Sequence, residues 1–121
     1  MKIIIWLDDE RDPKDPKYKG FLEKNLHVKG LSQIYWVRNY GEFVKCLDLL
    51  WGVVDMISFD HDLGEEESGL DCAKCLVHKC LNLNQNLPPC QSHSMNPIGK
   101  KNIFSLLDNY YKYFNEQNRN E

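Results

Sequence analysis

The sequence lacks the features that mark membrane and exported proteins. No apolar run approaches the roughly 20 residues of a membrane-spanning helix, and Met1-Lys2 leads directly into a strand-like run instead of a signal peptide. Repeats, linkers and low-complexity segments are missing too. For a chain of 121 residues, we therefore expect a single domain over residues 1–121 and an intracellular, cytoplasmic location.

The sequence also lacks an excess of positively charged residues. The chain has 15 Lys and Arg against 18 Asp and Glu, a formal net charge of −3. Binding to duplex nucleic acid or to an anionic membrane relies on many basic side chains that neutralise phosphates. We therefore expect no extended duplex-binding surface and no membrane partner, whereas a nucleotide or the end of an RNA strand is compatible with this charge.

Cysteine is present in an odd number. Five cysteines leave at least one thiol without a partner, which favours reduced thiols. The Cys72-x-x-Cys75 spacing also occurs in redox motifs and zinc sites, but here it follows a long acidic loop, and only His78 or Cys80 offers a further ligand nearby. Ordinary helix side chains are the simpler interpretation.

Short apolar runs alternate with segments of helical periodicity. The strand-like runs cover residues 2–7, 33–37, 55–60 and 88–93, and the helical patterns cover 18–26, 40–51, a stretch from about 70 and a stretch from 97. This alternation predicts a three-layer α/β fold, in which helices cover both faces of a short parallel sheet. We predict four strands in the flavodoxin-like order 2-1-3-4, with ligands bound at the carboxyl ends of the strands.

The last predicted helix has a clear beginning. Asn96 is a natural N-cap, Pro97 suits the first helical position, and the buried stripe that follows comprises Ile103, Leu107, Tyr110 and Phe114. The stripe predicted for the preceding helix comprises Ala73, Leu76, Val77, Cys80 and Leu81. Residues 115–121 are polar, and we expect them to form a frayed tail.

Three of the four predicted strands end in polar clusters. In the predicted order these strands are neighbours, so the clusters meet at one edge of the sheet. The clusters are Asp8-Asp9-Glu10-Arg11, Asp60-His61-Asp62 and His93-Ser94-Met95-Asn96.

Four carboxylates at one edge suggest a cation site. Several negative charges in one cleft are unfavourable unless some are protonated or a cation lies among them. Oxygen ligands favour Mg²⁺, Mn²⁺ or Ca²⁺, and we expect Mg²⁺ or Mn²⁺. The candidate ligands are Asp8, Asp9, Asp60 and Asp62, with Asp9 and Asp60 preferred as direct ligands. The alternative is that these residues only stabilise turns at the strand ends.

Two histidines suggest acid–base chemistry at the same edge. His61 and His93 end adjacent strands, so their rings could face each other across a substrate as general base and general acid, beside Asp60. Such a pair suits transfer at phosphorus. Each histidine alone is more often a hydrogen-bonded structural residue.

A phosphate seat is predicted beside the histidines. The start of the last helix offers backbone N–H groups and the positive end of the helix dipole. Arg11 could clamp the anion from the opposite side, although it could instead only pair with Asp12 or Glu10. The candidate phosphate-binding residues are Arg11, Ser94, Asn96, Gly99 and Lys100.

The clusters resemble two related families. Asp8-Asp9 and Asp60 resemble the Mg²⁺ and phosphoacceptor positions of response-regulator receiver domains, but a fifth strand, its helix and its lysine are missing. Across almost the whole chain, the sequence more closely resembles the cyclic-phosphate processing receiver domains. The motifs that carry this resemblance are Leu7-Asp8-Asp9-Glu10-Arg11-Asp12-Pro13, Ser58-Phe59-Asp60-His61-Asp62-Leu63-Gly64, Gly69-Leu70-Asp71 and His93-Ser94-Met95-Asn96-Pro97-Ile98-Gly99. The resemblance implies a receiver-derived fold and a role in processing 2′,3′-cyclic phosphate ends in RNA repair.

Three functions are compatible with these residues. The leading hypothesis is a metal-dependent phosphoesterase that acts on a cyclic or terminal phosphate of a nucleotide or RNA end. The alternatives are a non-catalytic module that binds a nucleotide or a protein, and a divergent phosphoacceptor receiver with Asp60 as its target.

Overall fold

The computed structural model describes residues 1–25 and 32–119. Its strands are β1 (Lys2–Leu7), β2 (Ser32–Val37), β3 (Met56–Phe59) and β4 (Cys90–Ser92). Its helices are α1 (Lys19–Asn25), α2 (Tyr40–Leu49), α3 (Gly69–Leu83) and α4 (Pro97–Asn118), and a 3₁₀ turn at Pro16–Tyr18 precedes α1. The predicted alternation of strands and helices is confirmed.

The four strands form one parallel sheet in the order β2-β1-β3-β4. This confirms the predicted order. β1 lies between β2 and β3, and its last four residues, Ile4 to Leu7, are all fully buried. Such a continuous apolar run suits a strand covered on both faces.

The two faces of the sheet are covered unequally. On one face Ile5, Leu7, Ile57 and Phe59 pack in a single core with side chains from α2, α3 and α4. On the other face α1 supplies Leu22 and Phe21, which pack on a smaller cluster of Ile4, Trp6 and Met56. The side chains of even-numbered residues of β1 therefore lie on the α1 face, and this alternation matters for the site.

Several boundaries differ from the sequence prediction, most by one or two residues. β4 is only three residues long, because Pro88 and Pro89, which lack a backbone N–H, precede it. β3 begins at Met56 and ends at Phe59. α4 continues through Asn118, so residues 115–118, predicted as a polar tail, are helical and no Pro or Gly interrupts them. Residues 120–121 of that predicted tail lie outside the described residues.

The start of α3 fixes the loop that follows β3 and carries one of the polar clusters. Ser68 and Asp71 form a reciprocal capping box at the start of α3. The first residue of that helix, Gly69, donates from its backbone N to the His61 carbonyl at 2.7 Å, and a Cβ on Gly69 would lie 1.7 Å from the Asp60 carbonyl oxygen. Only glycine allows this approach, which presses α3 against the end of β3.

The cysteines lie in and around the core of the domain. All five are free thiols, and Cys72 and Cys80 are fully buried. Burial raises the pKa of Cys72 well above its ordinary value, so this thiol is a poor nucleophile.

Leu81, predicted to be buried, is instead 48% exposed. No helix in the described part of the chain is long and apolar enough to cross a membrane.

Candidate functional site

Three of the four predicted metal ligands converge at the carboxyl edge of the sheet. Asp8, Asp9 and Asp60 each place one carboxylate oxygen within 4.8 Å of the others. They line an open cavity of about 310 Å³. The other residues that line it are Glu10, Arg11, Asp62, Gly64, Met95 and Asn96.

Asp8 is buried and fully hydrogen-bonded. Its Oδ1 accepts from the backbone N of Glu10 at 2.9 Å and of Arg11 at 2.8 Å, while its Oδ2 lies 2.9 Å from Nε2 of His93. Burial alone would raise the pKa of Asp8, but the hydrogen bonds from His93 and from the two backbone N–H groups outweigh burial and lower this pKa. Asp8 is therefore a fixed negative charge.

Asp60 has the opposite electrostatic character. It is only 7% exposed, and burial, reinforced by the negative charge of Asp8, raises its pKa from 3.8 to about 6. Its hydrogen bond from the backbone N of His61 and the nearby guanidinium of Arg11 offset only part of this rise. The ionised form of Asp60 is thus disfavoured unless further positive charge arrives.

The donor set fits a divalent cation. Three carboxylate oxygens at this spacing are hard ligands of the kind that Mg²⁺ and Mn²⁺ prefer, and the unfavourable charge on Asp60 is what a cation would relieve. Gly64 lies directly beside the carboxylates. It has a φ of +67°, and a Cβ added to it would lie 3.1 Å from Oδ2 of Asp9. A side chain at this position would be strained and would crowd the ligand.

Asp62, the fourth predicted ligand, lies at the rim. Its carboxylate accepts from the Asn96 amide at 3.2 Å and lies 3.0 Å from Nδ1 of His61. These two hydrogen bonds lower the pKa of Asp62. The structure therefore places Asp62 with His61 and not with the three clustered carboxylates.

The loop from Asp8 to Arg11 is held by three side chains that the sequence reasoning missed. Trp36 donates from its indole N–H to the Asp8 carbonyl at 2.7 Å, and Trp6 donates in the same way to the Arg11 carbonyl at 2.9 Å. Arg38 donates to the Asp9 carbonyl at 2.8 Å and 3.2 Å and lies over the Trp36 ring. The backbone that carries the carboxylates is thus positioned before any ligand binds.

His93 does not face the cavity, contrary to the predicted pairing with His61. Its side chain is only 5% exposed, and its ring stacks on Trp6 with centroids 3.7 Å apart. Nε2 contacts Asp8, and Nδ1 lies 2.7 Å from the hydroxyl of Ser58. Burial lowers the pKa of His93, so the neutral ring donates from Nε2 to Asp8 and accepts at Nδ1 from Ser58.

The reason lies in the alternation of side chains along the strands. Ser58 pairs with Trp6 on one side and with Gln91 on the other. His93 comes two residues after Gln91 and so shares the α1 face with Trp6 and Ser58. Its place at the sheet edge was predicted correctly, but its ring lies behind Asp8 and not across a substrate.

His61 is the more accessible histidine. Its side chain is 20% exposed, and its ring packs against α4, where a Cβ on Gly99 would lie 2.3 Å from the ring. Because Asp62 is an acceptor only, Nδ1 of His61 carries the proton in this contact and Nε2 is left as the acceptor. His61 is not itself among the residues that line the cavity, but it contacts Asp62 and Asn96, which do line it.

Arg11 lies among the carboxylates. Its Nη1 is 3.5 Å from Oδ2 of Asp8 and 3.9 Å from Oδ1 of Asp60. In this structure it therefore neutralises Asp8 and Asp60, which are not the partners, Asp12 or Glu10, that the alternative interpretation of the sequence named. Its side chain is 31% exposed, so it also reaches solvent at the cavity.

The predicted phosphate seat at the start of α4 is already occupied by the protein itself. The Asn96 side chain accepts from the backbone N of Gly99 at 3.0 Å, and the His61 ring fills the space beside Gly99. The hydroxyl of Ser94 is buried and accepts from the backbone N of Asn96. Lys100 is exposed and does not line the cavity. Of the five predicted phosphate-binding residues, only Arg11 and Asn96 border the cavity.

Comparison with known families identifies the fold of this site. A family model described as the cyclic-phosphate processing receiver domain matches residues 3–109. The chain belongs to this family. The match includes β2, β3, β4, all of β1 except its first residue, and every residue of the carboxylate cluster. This agrees with the resemblance drawn from the sequence motifs. Neither the curated proteins nor the solved structures give a significant match.

Membership of the family of cyclic-phosphate processing receiver domains accounts for the architecture. The parallel sheet in the order β2-β1-β3-β4, with helices on both faces, is a receiver-like arrangement. Receiver domains typically bind Mg²⁺ through acidic residues, and this chain has the cluster of Asp8, Asp9 and Asp60 after β1 and β3. The family description links the domain to cyclic phosphates.

Proposed function

We propose that the protein is a metal-dependent phosphoesterase that acts on a cyclic or terminal phosphate of a nucleotide or RNA end. The observation that carries the proposal is the cluster of Asp8, Asp9 and Asp60, open to a cavity that Arg11 also borders, in a domain of the cyclic-phosphate processing family. We propose that the protein works inside the cell, because its five cysteines are free thiols.

Each clustered residue has a distinct part in this proposal. Asp8, Asp9 and Asp60 would hold the divalent ion, which would stabilise the negative charge on a phosphoryl oxygen. Mg²⁺ and Mn²⁺ are the ions to test. Asp8 stays ionised through its hydrogen bond with His93. Asp60 stays protonated to a higher pH than an ordinary Asp while no cation is present. The ring of His93, backed by Ser58 and Trp6, orients the Asp8 carboxylate.

His61 is the proposed acid–base residue. Asp62 fixes its Nδ1 proton, so Nε2 can accept a proton from an attacking water and later return it to a leaving oxygen. Asn96 holds Asp62 in turn through its amide. A single histidine thus replaces the pair predicted from the sequence, because His93 is committed to Asp8 and Ser58.

The rim offers contacts to the rest of a substrate. Met95 lines the cavity and is 79% exposed, and Ile98 nearby along the chain is 73% exposed. Apolar side chains beside a polar cavity suit a base or ribose. They favour a nucleotide or RNA end over inorganic phosphate as the ligand.

The test is turnover of nucleoside 2′,3′-cyclic phosphates with Mg²⁺ or Mn²⁺. We expect hydrolysis that EDTA abolishes, and loss of most of the rate in His61→Ala. His93→Gln is the matched comparison, since it keeps a polar side chain behind Asp8 and should retain more activity than His61→Ala. Equal activity of wild type and His61→Ala would contradict the role of His61.

A second candidate function is a non-catalytic module that captures a nucleotide or protein in the same cavity. The burial of His93 favours it, because the site then has one accessible histidine instead of two. A nucleotide 2′,3′-cyclic phosphate that raises the melting temperature without being turned over would select this candidate. A phosphoacceptor role for Asp60 makes a separate prediction, a labile phosphate adduct after incubation with acetyl phosphate and Mg²⁺.

A further inference from the structure

The guanidinium of Arg11 is held loosely between two acids. Its Nη1 lies 3.5 Å from Asp8 and 3.9 Å from Asp60, whereas a charge-assisted hydrogen bond to a carboxylate is normally about 2.7 to 2.9 Å long. Arg11 therefore forms no fork with either carboxylate. It lies between the two and acts as a shared counter-charge.

Hydrogen bonds fix the backbone of Arg11, whereas its side chain is partly exposed at the cavity. Its N–H donates to Oδ1 of Asp8 at 2.8 Å, and its carbonyl accepts from the Trp6 indole at 2.9 Å. The side chain is 31% exposed and borders the open cavity. Arg38 is different, because its guanidinium is tied to the Asp9 carbonyl by two hydrogen bonds and lies over the Trp36 ring.

A divalent ion in the cluster would compete with Arg11 for the same carboxylates. Arg11 is the one cation among the residues that line the cavity, all of which lie in the described part of the chain. A divalent ion on Asp8, Asp9 and Asp60 would satisfy the acids that Arg11 now contacts, and at this distance the two positive charges would repel. A phosphate bound in the same cavity would then offer Arg11 an anionic partner with two oxygens for its guanidinium.

We propose that Arg11 is an exchangeable counter-ion: it holds Asp8 and Asp60 together while no divalent ion is bound, leaves them when the ion binds, and then contacts the phosphate of the ligand. The inference rests on the proposed function, since it takes the carboxylate cluster as the ion site. It gives Arg11 opposite effects on the two ligands, weakening ion binding and strengthening phosphate binding.

The experiment titrates Mn²⁺ into wild type, Arg11→Ala and Arg11→Gln and follows free Mn²⁺ by electron paramagnetic resonance. We expect Mn²⁺ to bind both variants more tightly than wild type, on the order of tenfold. Lys45→Ala is the control, because Lys45 is exposed on α2 away from the cavity and its loss changes the net charge equally. It should leave Mn²⁺ affinity near the wild-type value. Arg11→Gln keeps a polar chain of similar reach should Arg11→Ala fail to fold.

A second titration measures inorganic phosphate on the Mg²⁺-loaded proteins by calorimetry. We expect weaker binding to both Arg11 variants than to wild type. Mn²⁺ affinity that is unchanged or lower in folded Arg11 variants would overturn the exchange, as would unchanged phosphate affinity. If neither wild type nor the variants bind Mn²⁺, the ion site itself fails and the proposed function with it, so the two failures are distinguishable.

Discussion

Replacing Asp60 by Asn should stabilise the protein when no divalent ion is present. The pKa of Asp60 rises from 3.8 to about 6, and each pKa unit corresponds to about 1.4 kcal/mol. Ionised Asp60 therefore lowers the free energy of unfolding above pH 6 by up to about 3 kcal/mol. Asn keeps the hydrogen bond from the His61 backbone but loses the attraction of Arg11. We expect a gain of about 2 kcal/mol, or a melting temperature roughly 8 °C higher.

The gain should depend on pH in a defined direction. An acid with a raised pKa binds its proton more tightly in the folded state. The stability that this proton contributes is therefore fully present below pH 3.8 and is lost as the pH rises through about 6. Asp60→Asn should thus be clearly stabilising at pH 7.5 and nearly neutral at pH 4. Taking the difference between two proteins cancels other titrating groups.

Urea denaturation at both pH values, in the presence of EDTA, measures this difference. Asp62→Asn is the comparison, because hydrogen bonds lower the pKa of Asp62 and its replacement should not stabilise the protein. If Asp60→Asn destabilises the protein at pH 7.5 without divalent ions, the electrostatic account of the cluster is refuted.

Three further predictions concern the supports of the site. Gly69→Ala should destabilise the domain by several kcal/mol or prevent folding, because the new Cβ would overlap the Asp60 carbonyl. The matched variant Gly20→Ala in α1 places a Cβ that meets no atom within 4 Å, so it should be neutral or stabilising. Thermal unfolding of the two variants measures the difference. His93→Ala should lower the free energy of unfolding by about 3 kcal/mol, since it leaves a buried carboxylate with fewer donors, and a loss below 1 kcal/mol in urea would contradict this. Trp36→Phe removes the donor to the Asp8 carbonyl. It should weaken Mn²⁺ binding severalfold and lower the free energy of unfolding by less than His93→Ala does. Unchanged Mn²⁺ affinity would show that this contact does not position the loop.

The sheet and the carboxylate cluster could be predicted because they follow from simple patterns. The apolar runs and the alternation of elements predicted a parallel sheet, for which we chose the flavodoxin-like order 2-1-3-4, and parallel strands bring their carboxyl ends to one edge. Asp8 and Asp60 directly follow β1 and β3, which are neighbours in register. Their proximity therefore needed no knowledge of side-chain conformation.

The supports of the cluster could not be predicted in the same way. Trp36 and Asp8 are 28 positions apart in the chain, and their contact depends on the β1–β2 register and on the rotation of one indole. The burial of His93 had a usable signal, since its spacing from Gln91 places it on the face of Trp6. The position of the His61 ring beside Gly99, in the space of the predicted phosphate seat, had no signal in the sequence, because the ring comes from the loop after β3.

The central claim is that the cluster of Asp8, Asp9 and Asp60 holds a divalent ion needed for phosphoester chemistry. Turnover of a nucleoside 2′,3′-cyclic phosphate by wild type and Asp9→Asn, each with Mn²⁺ and with EDTA, tests it most directly. We predict that wild type with Mn²⁺ is active and that EDTA or Asp9→Asn removes most of the activity. Equal rates in all four samples, after subtraction of the uncatalysed rate, would contradict the claim.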